Sequence, residues 1–127
     1  MKSNFIEHRG QKIFVQHFDG FRSNAAAVFG EAAAIKKSVR AWPEGQKFPL
    51  LVDIHDTEMS AEAIQMSKDT AAATGPHMTR VAIVGKPTPT LRMVFNSIAL
   101  CINRAQPQRF FAYEELEKAK DWLVETT

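Results

Sequence analysis

The residues able to do chemistry gather at and beyond the end of an apolar run at 48–54: Asp53, His55, Asp56, Thr57, Glu58 and Ser60 fall within eight positions. Two carboxylates with a histidine between them can pass protons near neutral pH or hold a divalent cation. One reading is therefore a hydrolase-like enzyme using Asp53, His55 and Asp56. The plainer reading has Asp53 closing a turn, His55 solvated in a loop and Ser60 capping the next helix. The plainer reading is adopted, and no catalytic residue is assigned. A second group, Gly85-Lys86-Pro87-Thr88, has a glycine and lysine in the order of a phosphate loop. That motif requires Gly-x4-Gly-Lys-Ser/Thr, whereas position 80 is Arg and Pro87 precedes Thr88. A weaker anion site stays open, because Thr88 and Thr90 precede a helix with Lys86 and Arg92 nearby. Ordinary capping by threonine competes with it.

Other reactive types stand apart. His17-x-Asp19 has metal-ligand spacing but no second matching half, so no metal and no cofactor is expected. His8 reads as a surface strand residue, and His77 follows Gly75-Pro76 without a partner at a fixed spacing. Cys101, the single cysteine, sits on an apolar helical stripe and reads as a buried, inert thiol. Met59, Met66, Met78 and Met93 can line a groove for a lipid or a partner, or fill loosely packed core.

The elements that must position these groups follow from periodicity. Asn4–Arg9 and Lys12–Phe18 read as strands joined by a two-residue turn at Gly10-Gln11. Over Ser23–Trp42, Ala25, Val28, Phe29, Ala32, Ile35, Val39 and Trp42 recur at spacings of three and four, the signature of an amphipathic helix. Phe48–Ile54 is nearly all apolar, as expected of a strand covered on both faces, and Arg80–Gly85 is similar. Ser60–Thr74 reads as a helix ended by Gly75-Pro76, and Thr90–Arg104 as a third helix. Arg109–Ala112 reads as a short strand and Glu114–Glu125 as a last helix with Leu116, Ala119, Trp122 and Leu123 inward. The order β-β-α-β-α-β-α-β-α predicts an α/β fold: a mixed, mostly parallel five-stranded sheet flanked by four helices.

The 127 residues suit one domain spanning 1–127, with 45% apolar and 24% charged residues. A net charge of +2 with interspersed signs argues against nucleic acid. No stretch reaches the roughly 20 apolar residues of a membrane span, and the N-terminus lacks the apolar core of a signal peptide. A soluble, cytoplasmic protein is expected.

Three stretches, LLVDIHDTEMSAEAI, RVAIVGKPTPTLRMVFNSI and RFFAYEELEKAKDWL, are similar to the SpoIIAA-like family, also described as STAS/CRAL-TRIO-type domains. The Ala-Lys-x-Trp-Leu of the last is the most specific. The resemblance implies a noncatalytic regulatory or protein-interaction module whose partner is another protein or a second copy in a homodimer. Its CRAL-TRIO side implies a small apolar-ligand or lipid carrier as the alternative. The contact the resemblance implies is the loop from Asp56 to Ser60 and the helix after it. With the groups read above, the candidate binding surface comprises Asp53, His55, Asp56, Thr57, Ser60, Lys86, Thr88 and Arg92. Phospho-regulated STAS proteins carry an Asp-Ser-Ser-Gly-like segment at a helix start. The comparable region here is Asp56-Thr57-Glu58-Met59-Ser60, which makes Ser60 and Thr57 the phosphorylation candidates, although Glu58 and Glu62 would repel a phosphate.

Overall fold

A computed structural model describes residues 1–58, 60–86, 89, 92–93 and 107–125. The chain enters as a hairpin in which β1 (Asn4–His8) runs antiparallel to β2 (Gln11–His17). His8 pairs with Gln11, so the turn is Arg9-Gly10, with φ of 50° and 79°. The expected turn at Gly10-Gln11 is thus displaced by one residue. A two-residue turn that matches strand twist needs positive φ at both central positions, and glycine is favoured at the second.

Three further strands extend the sheet in chain order: β3 (Phe48–Asp53), β4 (Met78–Gly85) and β5 (Gln108–Ala112). β2, β3, β4 and β5 are all parallel to one another. Pro49 lacks an N–H for the ladder, and the β3–β4 register shifts between Phe48 and Leu50. Three helices stand among the described residues: α1 (Ala25–Val39), α2 (Ala61–Thr74) and α3 (Leu116–Leu123). The expected Thr90–Arg104 helix, with Cys101, lies outside the described residues except at positions 92 and 93. The last helix is shorter than expected, because Tyr113–Glu115 forms a 3-10 turn before it.

Alternation along the strands divides the core between two faces. Phe14, Leu50, Val81 and Ile83 face α1 and α2, which supply Val28, Ala32, Ile35, Ala63 and Ala71. Ile13, Val15, Leu51, Ala82, Val84 and Phe111 face the other way, against Ala119 and Leu123 of α3. Trp42 lies beyond the end of α1, and its ring sits 5.0 Å from Phe14 and 4.9 Å from Phe48. α2 buries Ser67, Thr70 and Thr74. Their hydroxyls donate to the carbonyls of Ala63, Met66 and Thr70 at 2.8–3.0 Å, which satisfies them inside the helix.

α1 departs from its predicted face. Phe29 is exposed, and Glu31 takes a buried position. The Glu31 carboxylate accepts from the amides of Lys2 and Ser3 (2.9 and 2.8 Å) and from the Ser3 hydroxyl (2.6 Å). Ser3 Oγ in turn accepts from the amide of His17 at 2.9 Å. The helix therefore rotates toward a charge that finds donors rather than toward a phenyl ring.

Leu50 is 2% exposed in the centre of the α1/α2 face. Leu50→Ala should destabilise the protein by about 3 kcal/mol through lost transfer energy and a residual cavity. Urea unfolding should show a lower midpoint at an unchanged slope.

Candidate functional site

The carboxyl ends of parallel strands are where open α/β sheets present ligand-binding groups, and the polar side chains converge there. Parallel register places His17, the last residue of β2, opposite Asp53, the last residue of β3. His17 Nδ1 lies 2.7 Å from Asp19 Oδ1, and His55 Nδ1 lies 2.6 Å from Asp53 Oδ1. The His55 amide donates to the same Asp53 oxygen at 3.1 Å. One nitrogen of His17 and one oxygen each of Asp19 and Asp53 all lie within 4.8 Å of one another. Asp53 is buried, whereas His17, Asp19 and His55 are half-buried. Lys2 Nζ pairs with Asp19 Oδ2 at 3.0 Å and donates to the Asp19 carbonyl at 2.6 Å. The His55 ring stacks on Tyr113, just past β5, with centroids 3.9 Å apart.

Beyond this cluster the loops after β2 and β3 are joined to each other. The amides of Phe18, Gly20 and Arg22 donate to the carbonyls of Asp53, His55 and Asp56 at 2.8–2.9 Å. Glu58 N–H returns a bond to Arg22 at 2.7 Å. The Thr57 hydroxyl accepts from Phe21 N–H and donates to the Phe18 carbonyl. Arg22 and Asp56 hold φ of 52° and 57°, a left-handed conformation that costs a side-chain-bearing residue free energy and persists because the bridging bonds over-determine it. Together with Lys86 these loops line an open depression of about 500 Å³.

The expected surface residues fall into separate places. Asp53 and His55 form the pair described above. Asp56 turns away to Arg22, with Oδ2 3.5 Å from Nε, so the three residues proposed for a hydrolase do not share one constellation. Thr57 is engaged within the rim, and Ser60 caps α2 by accepting from Ala63 N–H at 3.2 Å. Lys86 lies on the depression, whereas Arg92 is placed over the Phe110 ring at 5.7 Å. Thr88, Thr90 and Met59 lie outside the described residues. His8 meets Asp121 at 2.7 Å. His77 gains partners that its spacing did not indicate, Gln46 O at 3.3 Å and the Trp42 ring at 5.3 Å. Met93 is exposed, and Met66 lines a shallow groove with Phe29 and the basic residues of α1.

Lys2, Glu31 and Tyr113 have no part in the sequence-predicted surface. The signal that could have placed the cluster is the mirrored pair His17-x-Asp19 and Asp53-x-His55. Each half lies at a strand end, and i and i+2 residues there share a face.

The fold is a mixed α/β sheet with helices on both faces and polar groups at the strand ends, the layout expected of a STAS-type domain. A family model described as SpoIIAA-like matches residues 19–124, and the chain belongs to that family. Membership supports a STAS-type regulatory or interaction domain. No curated protein and no solved structure matches the chain. No helix among the described residues is long and apolar enough to cross a membrane.

Three carboxylates carry depressed pKa values: Asp121, through its hydrogen bond with His8, and Asp19 and Glu31, which sit nearer the strand ends. Burial alone would raise that of Asp19, but hydrogen bonds and charge from His17 and Lys2 outweigh it. Burial likewise opposes ionisation of Glu31, and the donors on Ser3 and Lys2 overcome it. Their ordinary values are 3.8 and 4.5. A folded-state value below the unfolded one contributes stability that is complete above the ordinary value. That contribution is lost as pH falls through the folded value. Unfolding free energy should therefore decline below about pH 5, and the double variant Asp19→Asn/Glu31→Gln should show a shallower acid limb in urea titrations from neutral to acid pH.

Proposed function

We propose that this chain is a noncatalytic regulatory module that works by binding another protein. Its contact face is the rim made by the loops after β2 and β3, the start of α2, and Lys86. The observation that carries this reading is the set of bonds that ties the two loops together across Arg22, Asp56, Thr57 and Glu58. A surface fixed before contact loses little entropy on binding. Its exposed charges are of both signs, Arg22 and Lys86 against Asp56 and Glu58, a pattern suited to setting register on a partner. In this reading residues 1–127 act as one cytoplasmic domain.

Phosphorylation, where it operates, falls better on Ser60 than on Thr57. The Thr57 hydroxyl makes two bonds that hold the rim, whereas Ser60 makes one, the cap from Ala63 N–H, at a helix N-terminus where the dipole favours added negative charge against the repulsion of Glu58 and Glu62. The enzyme reading draws on the Asp53–His55 pair alone. The carrier reading finds little room beneath α1 and α2, where Phe14, Phe18, Val28, Ile35 and Phe48 fill the space against the sheet.

The test is affinity capture from the native host with wild-type bait, the double variant Arg22→Glu/Lys86→Glu, and Lys37→Glu as a control on exposed α1. A partner held by wild type and control should fall by about tenfold or more on the rim variant, as expected when contact-face charges are reversed. Equal retention on all three baits would rule out the rim as the contact face. Light scattering of the purified chain separates self-association from capture of a different protein.

A further inference from the structure

We propose that His17, Asp19 and Asp53 form a binding site for one divalent first-row transition ion, with His55 as the residue that positions Asp53. The site adjoins the protein-binding rim through the shared β2 and β3 loops and uses none of the rim's charged side chains. Its donor set is one imidazole nitrogen and two carboxylates. That mixture suits zinc, manganese or ferrous iron, whereas magnesium prefers an all-oxygen octahedron. The donors come from separate strand ends fixed to each other: His17 is paired with Asp53, and Phe18 N–H donates to the Asp53 carbonyl at 2.8 Å.

Asp53 supplies the second line of argument. It is only 6% exposed, and both bonds it accepts, from the ring and the amide of His55, fall on Oδ1. Oδ2 receives no hydrogen bond from the described residues. Oδ2 is not sealed from solvent, so it is the oxygen of this largely buried carboxylate that an entering cation can reach. His55, stacked on Tyr113, holds the other oxygen, as outer partners of ligating carboxylates do.

The spacing is open but close. Donors about 2.0–2.2 Å from a tetrahedral ion lie roughly 3.4 Å apart, against a present span within 4.8 Å. Rotation of the half-buried His17 and Asp19 side chains closes that difference without moving the strands. Lys2 already offers Asp19 a positive charge from a side chain 44% exposed. Such an exposed pair is weak and stands as a competitor that the ion displaces.

The test is calorimetric titration of the chelator-treated full chain with zinc chloride and, separately, magnesium chloride. Wild type should bind about one equivalent of zinc, with magnesium far weaker. His17→Gln and Asp53→Asn should each weaken zinc by about tenfold or more, and His55→Gln by a smaller factor. Lys2→Met should tighten it, and His77→Gln should leave it unchanged. Circular dichroism checks that each variant is folded. Manganese added to isotope-labelled wild type gives a readout free of substitutions, since amide signals at 17–19 and 53–55 should broaden first. Absence of saturable zinc binding to wild type, retention by both His17→Gln and Asp53→Asn, or broadening centred elsewhere overturns the site.

Discussion

The parallel pairing of β2 with β3 is the constraint from which the polar end of this molecule follows. The ladder sets Phe14 against Leu50 and His17 against Asp53, then continues past both strands as backbone bonds from Phe18, Gly20 and Arg22. A slip of one residue would turn every side chain of β2 to the other face. Phe14 would leave the α1/α2 core, and His17 would leave Asp53. The core therefore enforces the register, and the register assembles the polar cluster. Stability and site share one cause.

A second tie fixes the N-terminal end. Glu31 accepts three hydrogen bonds from Lys2 and Ser3, and Ser3 reaches His17. Burying a carboxylate is costly unless its oxygens are met by donors, and here backbone amides and a hydroxyl meet them. The same tie brings the Lys2 ammonium to Asp19. One side chain of α1 thereby influences the charge balance at the strand ends, although it touches none of the residues there with chemical potential except through Ser3 and Lys2.

The polar end has two parts with different character. The cluster of His17, Asp19, Asp53 and His55 is half enclosed and internally bonded, with Tyr113 covering one imidazole. The rim from Arg22 to Glu58 is open and charged. Asp56 belongs to the rim, where it meets Arg22, and not to the cluster. Membership of the SpoIIAA-like family supports a regulatory or interaction domain and assigns a role to neither part.

Most of the architecture was legible in the chain because it follows from local rules. Apolar runs at Phe48–Ile54 and Arg80–Gly85 marked strands covered on both faces, alternating helices implied parallel neighbours, and Ser60 before an apolar periodicity marked a cap. The rest was decided by contacts between distant segments. Phe29 and Glu31 are two residues apart, and periodicity favoured the phenyl ring; only the donors on residues 2 and 3 reverse that choice. Likewise, His17-x-Asp19 lacked a second half because its complement, Asp53-x-His55, lies some three dozen positions along the chain. Spacing along a sequence carries no information about which strand ends become neighbours. Hydrogen-bond register does, and it exists only once the sheet has formed.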